Sequence, residues 1–170
     1  MTMATSWSYV PNDVYKPTRQ LIDTLVDVVA KGGNFLLNVG PSPNGELAPE
    51  AYDRMQDIGA WMKINGQAIY NTRPVAPYKV GKICYTSLKD GTVYAIYLAD
   101  ENETASPSKI LLTGLAPGKD AKLSLLGSNI PLTWEKIGNG ASITIPEEAR
   151  KNVTGKYAWT IKISSIARAS

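Results

Sequence analysis

Histidine is absent from this chain, and cysteine occurs once, at Cys84. That removes Ser-His-Asp triads, Cys-His pairs and most zinc sites. A lone thiol excludes an intrachain disulfide and a thiolate metal cluster. Any acid-base chemistry falls to carboxylates, lysine, tyrosine or hydroxyls, or comes from elsewhere. The first half carries Asp13, Asp23, Asp27, Glu46, Glu50, Asp53 and Asp57. Two carboxyl groups do acid-base work when their environments push their pKa values apart. Asp23 and Asp27 are four apart on an expected helix and read as one solvated face. Asp53 and Asp57 have the same spacing and the same reading. Glu50 suits the first turn of a helix, where negative charge complements the dipole. No catalytic residue, no metal ligand and no cofactor is assigned on this pattern.

Composition excludes further classes. The net charge is +3, from 18 basic and 15 acidic residues that are scattered along the chain. No basic patch for nucleic acid or a membrane surface is expected. No segment approaches the roughly 18 consecutive apolar residues of a membrane span. Met1 to Pro11 lacks the basic region and apolar core of a secretory signal, so nothing in it indicates a compartment. Apolar residues make up 44% of the chain, enough for a packed core.

The elements that must position any site fall into two grammars. From Pro17 to Lys31, Leu21, Ile22, Leu25, Val26, Val28 and Val29 have the spacing of an amphipathic helix, stopped by Gly32 and Gly33. Asn34 to Val39 is a short apolar run, expected as a strand buried on both faces. Gly40 to Gly45 is rich in turn formers. Pro49 opens a second helix, with Tyr52, Met55, Ile58, Gly59 and Met62 expected on its buried stripe. This is α/β grammar.

After Arg73-Pro74 the pattern becomes all-β. Seven strands are expected, over 82–87, 92–99, 109–115, 121–126, 132–137, 141–145 and 157–164. Lys89-Asp90-Gly91 and Gly138-Asn139-Gly140 are hairpin signals. The sum is an antiparallel β-sandwich, and the expected boundary divides the chain into 1–75 and 76–170. One buried strand with two helices leaves its backbone edges unpaired. Its partners are therefore expected on an upstream segment or on another chain.

Three blocks now carry a resemblance. They are SWSY at Ser6 to Tyr9, KGGNFLLNVGPSPNGELAPE at Lys31 to Glu50, and IGAWMKINGQAIYNTRP at Ile58 to Pro74. In order and spacing they resemble the retaining α-L-fucosidases, glycoside hydrolase family twenty-nine. The resemblance covers about Thr5 to Pro74. It implies the closing elements of a (β/α) barrel followed by the family's C-terminal β-sandwich. It also implies retaining hydrolysis of terminal α-linked L-fucose by an aspartate nucleophile and a glutamate acid/base, without a metal, with histidines on the sugar hydroxyls. In the family the nucleophile lies well upstream of the SWSY block, and in many members the glutamate lies shortly upstream of it. Neither position is expected within this chain.

On that resemblance the candidate substrate-binding residues are Trp7, Tyr9 and Asn38. An aromatic ring packs against the apolar face of a sugar, and fucose adds a methyl group. Trp7 and Tyr9 equally suit a sealed barrel rim. Asn38 lies at the C-terminal end of its strand, the active-site face of such barrels. It either touches a sugar or satisfies loop backbone. Trp61, Trp134 and Trp159 are read as core. The expected partners are a fucosylated glycan or fucoside, and an N-terminal barrel chain or a second copy of this chain. The alternative function is a non-catalytic carbohydrate-binding or structural module.

Overall fold

The computed structural model describes residues 1–167. Helix α1 (Thr18–Ala30) buries Leu21, Ile22, Val26 and Ala30 along one face. Pro17 precedes it. Gly32, at φ +79°, ends it. The amides of Gly32 and Gly33 donate to the carbonyls of Val29 and Val28, both at 2.9 Å. Helix α2 (Pro49–Asn65) starts at Pro49 with Glu50 in its first turn. Its buried residues are Ala51, Trp61 and Asn65. Tyr52, Met55 and Gly59 of the expected stripe face solvent, and Ile58 and Met62 are half-buried. The helix rolls because Trp61 dominates: its ring is buried and its indole N–H donates to the Ala158 carbonyl at 3.0 Å. A turn of 3-10 helix, Gly66–Ala68, follows.

The run Asn34 to Val39 forms no strand, only an isolated bridge at Asn38, and it is not buried on both faces. Leu36 is 69% exposed. Its first partner lies within this chain, at the opening residues. Thr2 and Asn38 form a parallel bridge. The Met3 amide donates to the Asn38 carbonyl at 2.8 Å, and the Asn38 amide to the Met1 carbonyl at 2.9 Å. Met3, Leu21 and Ala51 are buried beneath this pair, with Leu37, Val39 and Leu47 packed against them.

The second half is an antiparallel sandwich of eight strands. They are β1 (Arg73–Val80), β2 (Ile83–Ser87), β3 (Val93–Leu98), β4 (Lys109–Leu112), β5 (Leu123–Leu125), β6 (Thr133–Ile137), β7 (Gly140–Thr144) and β8 (Ala158–Ile163). One sheet has the order β1-β2-β3-β8-β5 and the other β4-β7-β6. The strand not foreseen is β1, whose two prolines argue against a central strand. It sits at the sheet edge, where proline is tolerated. A short helix, α3 (Glu147–Lys151), joins β7 to β8.

The five-stranded sheet is covered on both faces. Tyr85, Val93, Ala95, Trp159, Ile161 and Ile163 point into the sandwich core against Ile110, Leu112 and Ile143. Their alternates, Cys84, Tyr94, Ile96 and Ala158, pack against Ile22, Val26, Ala30 and Trp61 of the helices. Burial pushes the Cys84 thiol up to about 11 and leaves it a small apolar filler. Trp134 is half-buried against the sandwich core.

This packing overturns the solvated reading of Asp23 and Asp27. The Asp27 carboxylate accepts from Lys31 at 2.6 Å and from Lys79 of β1 at 2.9 Å. Asp23 has a buried Oδ1 with no hydrogen-bond partner. Burial raises its pKa from 3.8 to about 6, against the pull of Arg19 and Lys79. Asp57 is likewise engaged: it accepts from Thr18 and Tyr157 hydroxyls, each at 2.9 Å, and so ties both helices to the approach to β8.

Two outcomes follow from the buried interface. Trp61→Ala removes the ring that joins α2 to β8 and is expected to cost about 3–5 kcal/mol in urea unfolding. Asp23 binds its proton more tightly folded than unfolded, so stability falls as pH rises from about 4 to about 6 and is level above. Asp23→Asn is expected to gain roughly 1–2 kcal/mol at pH 7.5, less than full burial would give. The gain should vanish near pH 4. Unfolding curves at the two pH values check it.

Candidate active-site rim

The opening segment and the run Asn34 to Val39 are parallel at Thr2 and Asn38, so both deliver their C-terminal ends to the same side. The loops that follow, 5–16 and 40–48, meet there. In parallel barrels this is the side that carries chemistry.

Three contacts fix the first loop. The Asn38 side-chain amide donates to the Trp7 carbonyl at 2.8 Å. Gly40 lies directly under the loop: a Cβ there would stand 2.5 Å from the Tyr9 nitrogen and 2.7 Å from the Ser8 carbonyl carbon. Asp13 closes the loop from the other end. Its carboxylate accepts from the Thr5 hydroxyl, the Ser6 amide at 3.0 Å and the Val14 amide at 2.7 Å. The Thr5 hydroxyl contributes most to lowering the Asp13 pKa to about 2, so the carboxylate stays ionised. Asn12 beside it adopts φ +58°, a turn conformation asparagine tolerates.

The result is a loop with its aromatic residues turned outward. Trp7 is 64% exposed and Tyr9 is 38% exposed. Trp7, Tyr9 and Asn38 are brought to one rim, with Asn38 bonded to the backbone that carries Trp7. Asp13 and Gly40 are the structural residues that spacing alone did not single out. The Asn12-Asp13 turn pair was the available signal for Asp13. Nothing local marked Gly40, because the backbone it admits is more than thirty residues away. The carboxyls with displaced pKa values do not converge: Asp13 lies in the rim loop, Asp23 and Asp27 lie on α1 beside the sandwich, and Asp90 and Glu103 lie in sandwich loops. Among the described residues, no three potential ligands from His, Cys, Asp and Glu converge.

Residues 1–67 match the α-L-fucosidase family, and residues 78–164 match the α-L-fucosidase C-terminal domain. The chain belongs to the α-L-fucosidase family. It is 32% identical over 170 residues to human tissue α-L-fucosidase, which covers 95% of this chain and 35% of the human protein. Cattle tissue α-L-fucosidase is 33% identical over 151 residues, covering 86% of this chain and 31% of that protein. The fold also matches the α-fucosidase of Thermotoga maritima in complex with fucose, with a TM-score of 0.82 at 26% identity. That match covers 96% of this chain and 38% of the other. The chain thus spans about a third of the length of the α-L-fucosidases it matches. What it shares with them is the barrel-closing segment and the β-sandwich.

The close approach at Gly40 gives a direct test of the rim. Gly40→Ala forces the loop at Ser8 and Tyr9 off the second loop. The expected cost is about 1–3 kcal/mol in urea unfolding, with the largest nuclear magnetic resonance shift changes at Trp7, Ser8 and Tyr9. Unchanged resonances there would show that the loops do not meet.

Proposed function

We propose that this chain forms the closing elements of the barrel and the C-terminal sandwich of a retaining α-L-fucosidase. The segment before β1 completes the catalytic barrel, and the strands from β1 to β8 form the sandwich that holds it. The supporting observation is the rim: Trp7 and Tyr9 stand exposed on a braced loop at the side where a barrel does its chemistry.

In the complete enzyme a carboxylate attacks the anomeric carbon of an α-L-fucoside while a carboxylic acid protonates the departing oxygen. Water then hydrolyses the fucosyl-enzyme ester, with the same acid acting as base. Such a pair must stand about 5–5.5 Å apart. Asp13 is consumed in bracing its loop, and Asp23 belongs to the interface with the sandwich. Neither suits these roles, and the family resemblance implies that the pair comes from barrel segments that this chain does not span. Trp7 offers its ring to the apolar face and methyl group of fucose, Tyr9 adds a second aromatic edge, and Asn38 positions the Trp7 backbone.

Leu36, exposed on the run that pairs with the opening residues, marks the edge where those segments dock. A second copy of this chain is the competing occupant, and sedimentation of the purified chain separates the two.

The activity test is release of 4-nitrophenol from 4-nitrophenyl α-L-fucoside. The chain alone is expected to be inactive. Activity is expected when the upstream barrel segment bearing the nucleophile is added. Trp7→Ala should then lower kcat/KM by about tenfold or more. Turnover by the chain alone, persisting through repurification, would overturn this assignment. Fucose binding without turnover in the reassembled protein would favour a non-catalytic carbohydrate-binding role.

A further inference from the structure

A cleft of about 470 Å³ opens between the two rim loops. Tyr9, Asn12 and Asp13 line one side, and Asn44, Glu46 and Glu50 line the other. Its volume is that of a small-molecule site. Tyr9, assigned one aromatic edge against fucose, also lines this cleft, so the cleft adjoins that place.

The lining has a definite chemical character. Tyr9 presents an aromatic ring at the surface, and Leu47, Pro43 and Pro49 add apolar lining. Asn12, Asn44 and Glu46 are exposed and offer hydrogen-bonding groups. A pyranose has the matching duality, with C–H bonds on one face and hydroxyls around its edge. The charge is one-sided: three carboxylates line the cleft, and no lysine or arginine does. Asp13 stays ionised in its brace. Glu46 and Glu50 have no salt-bridge partner among the described residues.

We propose that this cleft is the subsite for the sugar that carries the fucose, and that its acidic wall selects neutral rings over anionic ones. The inference rests on the fucosidase reading, which supplies the neighbouring fucose. A neutral ring meets Tyr9 and hydrogen bonds to the amide and carboxylate groups. A carboxylated sugar brings a further negative charge into a wall that already holds three. The repulsion is moderate and falls with added salt.

Titration of the 170-residue chain followed by nuclear magnetic resonance tests this, with L-fucose, lactose and 3′-sialyllactose as probes. Lactose is expected to move the backbone resonances of Tyr9, Asn12 and Asn44. The sialylated sugar should bind at least about threefold more weakly at low salt, and the gap should close at high salt. Glu46→Gln with Glu50→Gln, both on exposed positions, should narrow the gap while lactose binding changes less than about twofold. Lactose shifts that fall elsewhere, or none, overturn the subsite whatever L-fucose does. Equal binding of the two larger sugars overturns the charge selection. Lactose bound at these residues with no response to L-fucose upholds the cleft and counts against the fucosidase reading.

Discussion

Everything in this chain depends on one sheet being buried twice. Strands β2, β3 and β8 place one set of side chains in the sandwich core and the alternate set under α1 and α2. Burial of this kind is favourable on each face in proportion to the apolar area removed from water. A sheet facing solvent on one side would show clean apolar-polar alternation. Here the alternates are Cys84, Tyr94, Ile96 and Ala158, and they make the helices part of the sandwich's own core. Polar groups fix the angle of the joint: Asp57 between Thr18 and Tyr157, Trp61 on Ala158, and Asp27 on Lys79.

The rim inherits its precision from that joint. The helices carry the paired segments at Thr2 and Asn38, and the segments carry the loops. A short parallel pairing is weak alone, but here it lies on Leu21 and Ala51, whose helices are immobilised from the other side. Asp13 and Gly40 then act at short range. One supplies acceptors to three donors, and the other allows two backbones to touch. Exposed aromatics are thereby carried on a fixed backbone without being buried.

The helices and most strands were legible because their signals are local. Pro49, Gly32, Gly33 and the two hairpin turns mark ends, and apolar spacing marks the interiors. The misreadings share another cause, the neighbour on the far side. Trp61 turned α2 away from the stripe suggested by Tyr52 and Met55. Lys79, far along the chain, converted Asp27 from a solvent residue into an anchor. The β1 prolines concealed an edge strand. The parallel partner of Asn38 was missed because Met1 to Ala4 is too short to show any periodicity. For the site, the aromatic block and Asn38 stood out through motif resemblance. The cleft beside them did not, since it exists only when two loops separated by thirty residues are brought together.

The strand order carries a consequence for how the molecule forms. The central neighbour of β3 is β8, the last strand, and Trp61 hydrogen-bonds across 97 residues to reach it. Contacts so distant in sequence are made late, because long loops must close before they repay anything. During synthesis from the N-terminus, α1 and α2 can meet β2 and β3 early, but the Trp61 indole waits nearly one hundred residues for the Ala158 carbonyl. The barrel segment is therefore finished from behind, by the domain that is made after it.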